Sequence, residues 1–306
     1  MEHRPVMLNE AIEQLAINPK GIYVDATLGG GSHALAIVKK LSTGHLYAFD
    51  QDEYALRRAQ EKLASYQELI TVFHGNFADL KNQLKAHNVT GIDGILFDLG
   101  VSSFHLDDQE RGFSYRHEAI LDMRMDQSQE KTAQMIVNQY SFEALKDILY
   151  RYGDEKFAPS IAENIVKTRQ EKAIVTTFDL VDIIKKSMPQ KALSSKGHPA
   201  KRTFQAIRIE VNDELNVLKK AINDALTLLN PKGRIVVITF QSLEDKIVKQ
   251  LFKDKATIHY PKELPMMPKV QAEYVWPDKK LLKPSEEEIE KNHRAHSAKM
   301  RVLMKQ

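Results

Sequence analysis

The chain contains no cysteine and only one tryptophan in 306 residues. Without cysteine, disulfides, thiolate nucleophiles and zinc–thiolate sites are all excluded, which suits a reducing cytoplasm. The eleven histidines show no HExxH-like spacing, so no metal centre is expected. Long apolar runs are also missing. No stretch approaches the roughly 18 residues a membrane helix needs, and Met1 to Leu15 lacks the apolar centre of an export signal. A cytoplasmic protein without a membrane or metal partner is therefore expected. Charge of one sign is scarce overall, with 44 basic and 41 acidic residues giving a net charge of +3. The whole molecule does not advertise nucleic-acid binding, but its distribution of charge is uneven. Lys191, Lys196, Lys201, Arg202 and Arg208 lie in a stretch without an acid, and Arg294, Lys299, Arg301 and Lys305 repeat the bias. Local basic patches on a near-neutral protein fit a phosphate-bearing substrate held at one site.

A hydrophobic content of 42% allows a full core, and the length suits one large domain or two ordinary ones. Strand and helix patterns alternate at first. Ile22 to Ala26 reads as a strand, Gly29 to Gly31 as a turn and Ser32 to Leu41 as a helix. Strands follow at His45 to Phe49, Ile70 to His74 and Asp93 to Phe97, with helices between them, as in a parallel doubly wound sheet. Helical periodicity then takes over from about Thr132 to Met188. The alternation resumes with a helix from about Val211 to Leu229, a strand from Arg234 to Phe240 and a helix from Leu243 to Phe252. Lys299 to Met304 alternates like an edge strand. These patterns predict a discontinuous α/β domain, residues 1–103 and 209–306, with a helical domain, residues 104–208, set into it. No pattern in the sequence sets an oligomeric state.

Gly29, Gly31 and Ala34 satisfy GxGxxG/A between a strand and a helix, and Asp50 follows at the end of the second strand. Missing side chains there let the backbone approach a ligand, and the acid can hold ribose hydroxyls, so an NAD-linked enzyme must be considered. Further polar groups end the other strands: Asp25, then Asn76 and Phe77, then Asp98. An adenine against Phe77, a ribose at Asp50 and an amino-acid moiety near Asp25 suit S-adenosylmethionine. Gly94 to Asp126 runs from an apolar strand into a dense mixture of aromatic and ionic residues without a sustained period, the composition of a binding surface more often than of a core.

The segments Tyr23 to His33 (YVDATLGGGSH), Asp93 to Ser103 (DGILFDLGVSS), Leu106 to Asp126 with its RGFS and LDMRMD parts, Tyr152 to Phe157 (YGDEKF), His198 to Leu215 (HPAKRTFQAIRIEVNDEL), Ser242 to Asp245 (SLED) and Asn292 to Arg301 (NHRAHSAKMR) resemble the MraW/RsmH family over nearly the whole chain. The resemblance implies a class I methyltransferase, Rossmann-like doubly wound sheet with an inserted all-helical domain. It implies S-adenosylmethionine as cofactor, 16S ribosomal RNA or the small ribosomal subunit as partner, and methylation of the N4 amine of a cytidine. The family's cofactor contacts fall on Gly31, Ser32, His33, Asp50, Phe77, Asp98 and His105. Three positions depart from the family's usual pattern: Ser32, the Phe104–His105 pair, and Gln241 before SLED. Asp98, or the backbone carbonyls after it, is the candidate catalytic group, drawing an N–H of the amine aside. Phe104, Phe113 and Tyr115 are candidates for stacking, and Arg111, Lys201 and Arg202 for phosphate contact. Arg124, between Asp122 and Asp126, reads as an internal ion pair. An NAD-linked enzyme, a DNA amino-methyltransferase and a non-catalytic RNA-binding assembly factor stay open as alternatives.

Overall fold

Strands buried on both faces need continuous apolar runs, and helices joining parallel strands need one apolar stripe each. Both patterns recur here. The computed structural model describes residues 5–101, 108–194, 197–258, 271–277 and 281–306. In chain order it contains α1 (Leu8–Leu15), β1 (Ile22–Asp25), α2 (Ser32–Val38), β2 (His45–Asp50), α3 (Glu53–Leu63), β3 (Ile70–His74), α4 (Leu80–Ala86) and β4 (Ile92–Asp98). A helical run follows, with α5 (Ala133–Gln139), α6 (Phe142–Gly153), α7 (Ala158–Glu171), α8 (Thr177–Lys186), α9 (Gln190–Leu193) and α10 (Lys201–Asn212). The chain closes with α11 (Glu214–Leu228), β5 (Leu229–Thr239), α12 (Ser242–Ala256), β6 (Tyr274–Val275), α13 (Glu286–Lys291) and β7 (Lys299–Lys305).

The seven strands form one sheet in the order β3-β2-β1-β4-β5-β7-β6. The first five are parallel, and β7 runs antiparallel to both β5 and β6. This is the doubly wound Rossmann-like sheet expected, with one reversed strand added. Alternate strand residues feed opposite cores. Leu46, Leu96, Val236 and Ile238 pack with Leu15, Ile37 and Leu56, whereas Phe49, Ile95, Phe97 and Val237 pack with Leu84, Ile222 and Phe252. Strand order reverses between β1 and β4, and the crevice beyond the carboxyl ends at such a switch point is where this architecture binds ligands.

Contacts divide the chain into two compact units, residues 1–100 with 215–306, and 101–214. The expected boundary at 208/209 falls inside α10. A single helix from Val211 to Leu229 is also replaced by two, because Asp213 takes a left-handed φ of 49° and interrupts the helical path. β7 is not the edge strand its alternation predicts; β6 covers it. The polar side chains of β7 are accommodated by a partner: Arg301, 6% exposed, gives Nε to Asp245 Oδ1 at 2.7 Å, and Lys299 approaches Asp245 Oδ2 at 3.3 Å. Among the described residues no helix is long and apolar enough to cross a membrane, and no cluster of His, Asp and Glu could hold a metal ion.

Candidate functional site

The carboxyl ends of β1, β2 and β4 are tied together through the turn that follows β1. Leu28 N–H donates to Phe49 O at 2.9 Å, Gly29 N–H to Asp50 Oδ2 at 2.7 Å, and Asp98 N–H to Thr27 Oγ1 at 2.6 Å. The other Asp50 oxygen accepts from Asp52 N–H at 2.9 Å. Asp50 is half-buried at the end of β2. Asp50 therefore shapes the glycine turn as well as facing the crevice, a second role its position at a strand end did not reveal.

The glycines of the turn serve different purposes. Gly31 caps α2 with φ +74°, and a Cβ there would lie 3.2 Å from Ala59 Cβ, so its small size lets the turn pack on α3. At Gly29, φ is +49° and the nearest atom a Cβ would meet is Thr27 O at 3.8 Å. That face is uncovered by protein and suits close ligand approach. Ser32 begins α2, and its hydroxyl accepts from Lys62 Nζ at 2.9 Å. The departure from glycine at this position thus has a structural partner.

Asp98 ends β4 with its side chain 22% exposed, and Oδ2 lies 3.6 Å from His33 Nδ1. Its Oδ1 finds no hydrogen-bond partner among the described residues. Burial pushes the Asp98 carboxyl up to about 8, and the Asp25 and Glu244 carboxylates add to the rise. Asp25 is fully buried; burial raises it to about 7, opposed by Thr27 N–H and assisted by Asp50, and its Oδ2 is likewise without a partner among the described residues. Unpaired buried carboxylates are costly, and a cation or an N–H donor would relieve the cost. Glu244 escapes the strand-end pattern because it sits one turn into α12. There it accepts from Phe240 N–H at 2.9 Å and Gln241 N–H at 3.2 Å, while Gln241 Nε2 donates to Glu244 Oε1 at 2.8 Å. The unusual Gln241 thus holds this acid in place. Phe77, half-buried after β3, meets Phe97 edge-on at 5.7 Å. His105 and Phe104 lie outside the described residues.

In the helical unit the expected binding surface is divided between buried residues and exposed ones such as Arg116, His117 and Ile120. Phe113, Leu121, Met123 and Met125 are buried among the helices. Arg111 is 8% exposed and donates Nη2 to Arg124 O at 2.8 Å and Met125 O at 3.2 Å. Phe113 and Arg111, expected to meet RNA, are both buried in this unit. Their burial has a physical basis: an irregular segment can be buried once side chains satisfy its backbone. Asn212 Oδ1 accepts from Met125 N–H and its Nδ2 donates to Met123 O, each at 2.8 Å. Arg124 pairs with Asp122 through two bonds of 2.8 Å, the internal pairing its spacing predicts. Lys201 and Arg202 are exposed at the start of α10, and Arg202 gives one N–H to Asp154 O at 2.8 Å. Tyr115 is half-buried and stacks on His198 at 4.3 Å. His198 carried no individual role in the sequence; its place in the HPAKRTFQAIRIEVNDEL segment was the one signal.

A model of the MraW methylase family matches residues 1–306. The ribosomal RNA small subunit methyltransferase H of Lactobacillus delbrueckii subsp. bulgaricus is 51% identical over 310 residues, covering 99% of each chain. That of Oenococcus oeni is 53% identical over 307 residues, covering 99% of this chain and 98% of its own. Among solved structures, a rRNA methylase from Streptococcus thermophilus aligns with 100% of this chain and 98% of its own at 13% identity and a TM-score of 0.44.

Proposed function

From the premise that this chain belongs to the MraW methylase family, we propose that it methylates the N4 amine of a cytidine in 16S ribosomal RNA of the small subunit, in the cytoplasm, using S-adenosylmethionine. The observation that carries this reading is Asp98 Oδ1, at the end of β4 beside the strand-order switch and without a partner among the described residues. The cofactor fits the residues present. Its two cationic centres match the carboxylates of Asp25 and Asp98, the uncovered face of Gly29 admits its close approach, Asp50 suits ribose hydroxyls and Phe77 an adenine face. Gly31, Ser32 and His33 complete the wall of this site. When bound, S-adenosylmethionine supplies an electrophilic methyl group on a sulfonium sulfur.

A cytosine amine is a weak nucleophile, since its lone pair is delocalised into the ring, and methylation requires the loss of one N–H proton. Asp98 Oδ1 accepts that N–H and aligns the nitrogen. Its carboxyl, raised to about 8, is close to the range in which a group both accepts and releases a proton near neutral pH. His33 Nδ1 lies 3.6 Å from the other oxygen, Oδ2. The target base must be unpaired, because Watson–Crick pairing engages the same amine.

The NAD-linked alternative loses support from the sheet. A dinucleotide fold carries six parallel strands in the order 3-2-1-4-5-6, whereas here the reversed β7 separates β5 from β6. Mass spectrometry of nucleosides from small subunits of a deletion strain, incubated with protein and labelled cofactor, tests the proposal. N4-methylcytidine should form with wild type and fall at least about a hundredfold with Asp98→Ala. No N4-methylcytidine with wild type would refute the assignment, and equal product from Asp98→Ala would remove Asp98 from the chemistry.

A further inference from the structure

Three aromatic rings in the helical unit run outward from its core. Phe204, on α10, is 3% exposed. Tyr115 meets Phe204 edge-on at 5.7 Å and 89°, and His198 lies flat against Tyr115 at 4.3 Å and 12°. Tyr115 and His198 are only partly buried, so the imidazole ends a column fixed at its base. Its rotation is set as well. His198 Nδ1 accepts from Ala200 N–H at 3.2 Å, which puts the ring proton on Nε2 and keeps the imidazole neutral. Burial lowers the His198 pKa, and the positive charges of Lys185 and Arg116 lower it further. Those two cations and Lys201 are exposed, and none of the three forms an ion pair among the described residues.

A flat ring on a rigid column, surrounded by unpaired cations, has the chemistry of a single-strand binding site. Base stacking on an aromatic face tolerates any sequence, while the cations hold phosphates. Paired bases have no free face to offer. We propose that the Tyr115–His198 column, with Arg116, Lys185 and Lys201, is a stacking platform for an unpaired base of the RNA substrate other than the cytidine that is methylated. The platform rests on the reading of the protein as an RNA methyltransferase and adds a second point of recognition to it.

The same stack could serve only to cap the turn before α10, and two substitutions of the full-length protein separate the roles. His198→Asn keeps an acceptor for Ala200 N–H and removes the ring; His198→Phe keeps the ring and removes the acceptor. Binding is read by fluorescence anisotropy with a labelled single-stranded ribonucleotide oligomer of mixed sequence and with its duplex. His198→Asn should weaken single-strand binding roughly five- to a hundredfold, and His198→Phe should stay within about threefold of wild type. Arg116→Gln combined with Lys185→Gln should flatten the log–log dependence of affinity on salt by about 1.4. S-adenosylhomocysteine affinity should be unchanged in every variant. The proposal is overturned if weakening follows loss of the acceptor, if both His198 variants bind as wild type does, or if wild type binds duplex as tightly as single strand. Failure of the methyltransferase reading is seen separately, as absence of N4-methylcytidine with the wild-type protein.

Discussion

Replacing Asp98 by asparagine removes a charge while keeping the side chain's shape, and its effect on stability follows from the site's electrostatics. The carboxyl rises from an ordinary 3.8 to about 8, chiefly through burial and then through Asp25 and Glu244. A folded-state pKa above the unfolded one contributes stability that is complete below pH 3.8 and is lost as pH rises through 8. An isolated group shifted this far would account for about 6 kcal/mol at alkaline pH. Asp98 is 22% exposed, and Asp25 and Asp98 are raised together rather than separately, which reduces the figure to roughly 2 kcal/mol. Ligand-free Asp98→Asn should therefore melt about 4–8 °C above wild type at pH 8, with the difference shrinking towards zero near pH 4. Scanning calorimetry from pH 4 to 9 measures it. Methyl transfer should fall by about 10²-fold or more over the same preparations. An asparagine variant that melts below wild type at pH 8, or an offset that ignores pH, would refute the reasoning.

Gly31→Ala should lower stability by about 2 kcal/mol through its positive φ and the approach to Ala59. Gly29→Ala should cost only about 1 kcal/mol in urea unfolding yet weaken S-adenosylhomocysteine binding in calorimetry by about tenfold, equivalent to about 1.4 kcal/mol. Burial opposes it, yet the Arg301 and Lys299 cations hold the Asp245 carboxyl below its usual range. This stability is present above pH 3.8 and lost as pH falls through the depressed value. Asp245→Asn should accordingly lower stability at pH 7 by about 3–5 kcal/mol, since Arg301 is left buried, and should flatten the acid side of the urea-midpoint profile. Arg111→Ala should destabilise the protein by about 2–3 kcal/mol because two carbonyls lose a charged donor. Lys201→Ala should leave the urea midpoint unchanged and reduce the salt slope of RNA binding by about 0.7; a fall in stability with Lys201→Ala would count against its exposed role.

The strand pattern of residues 22–98 was legible because burial on both sheet faces imposes apolar runs, and the polar residues ending those runs had no packing explanation. Asp50 and Asp98 stood out for that reason. Glu244 was hidden because it lies inside a helix, and its approach to Asp98 depends on pairing β4 with β5 across 130 residues of sequence. Residues 109–126 misled in the opposite direction. Their lack of period described an irregular backbone correctly, but surface exposure followed for only part of it. Asn212 and Arg111 satisfy that backbone from within, so Phe113 and Met123 could be buried without belonging to any regular element. The helix at Lys201–Asn212 was obscured by its basic first turn, which suggested charge at the expense of structure.

The insertion of 114 residues between Gly100 and Leu215 also has a kinetic consequence. β4 cannot pair with β5 until both ends of that insertion are brought together. Closing a disordered loop of this length costs about 4 kcal/mol of chain entropy, a penalty falling on the strand pair beside the ligand crevice. Within the insertion α6 packs on the distant α10 as well as on its neighbour α7, and α5 also packs on α7 and α10, so the two ends of the loop are joined through non-local helix contacts. The β4–β5 seam is expected to form only after the ends of the insertion meet, and β7 after β5, which it pairs with. Damage to the helical unit would then appear as slow completion of the sheet, even where every strand residue is intact.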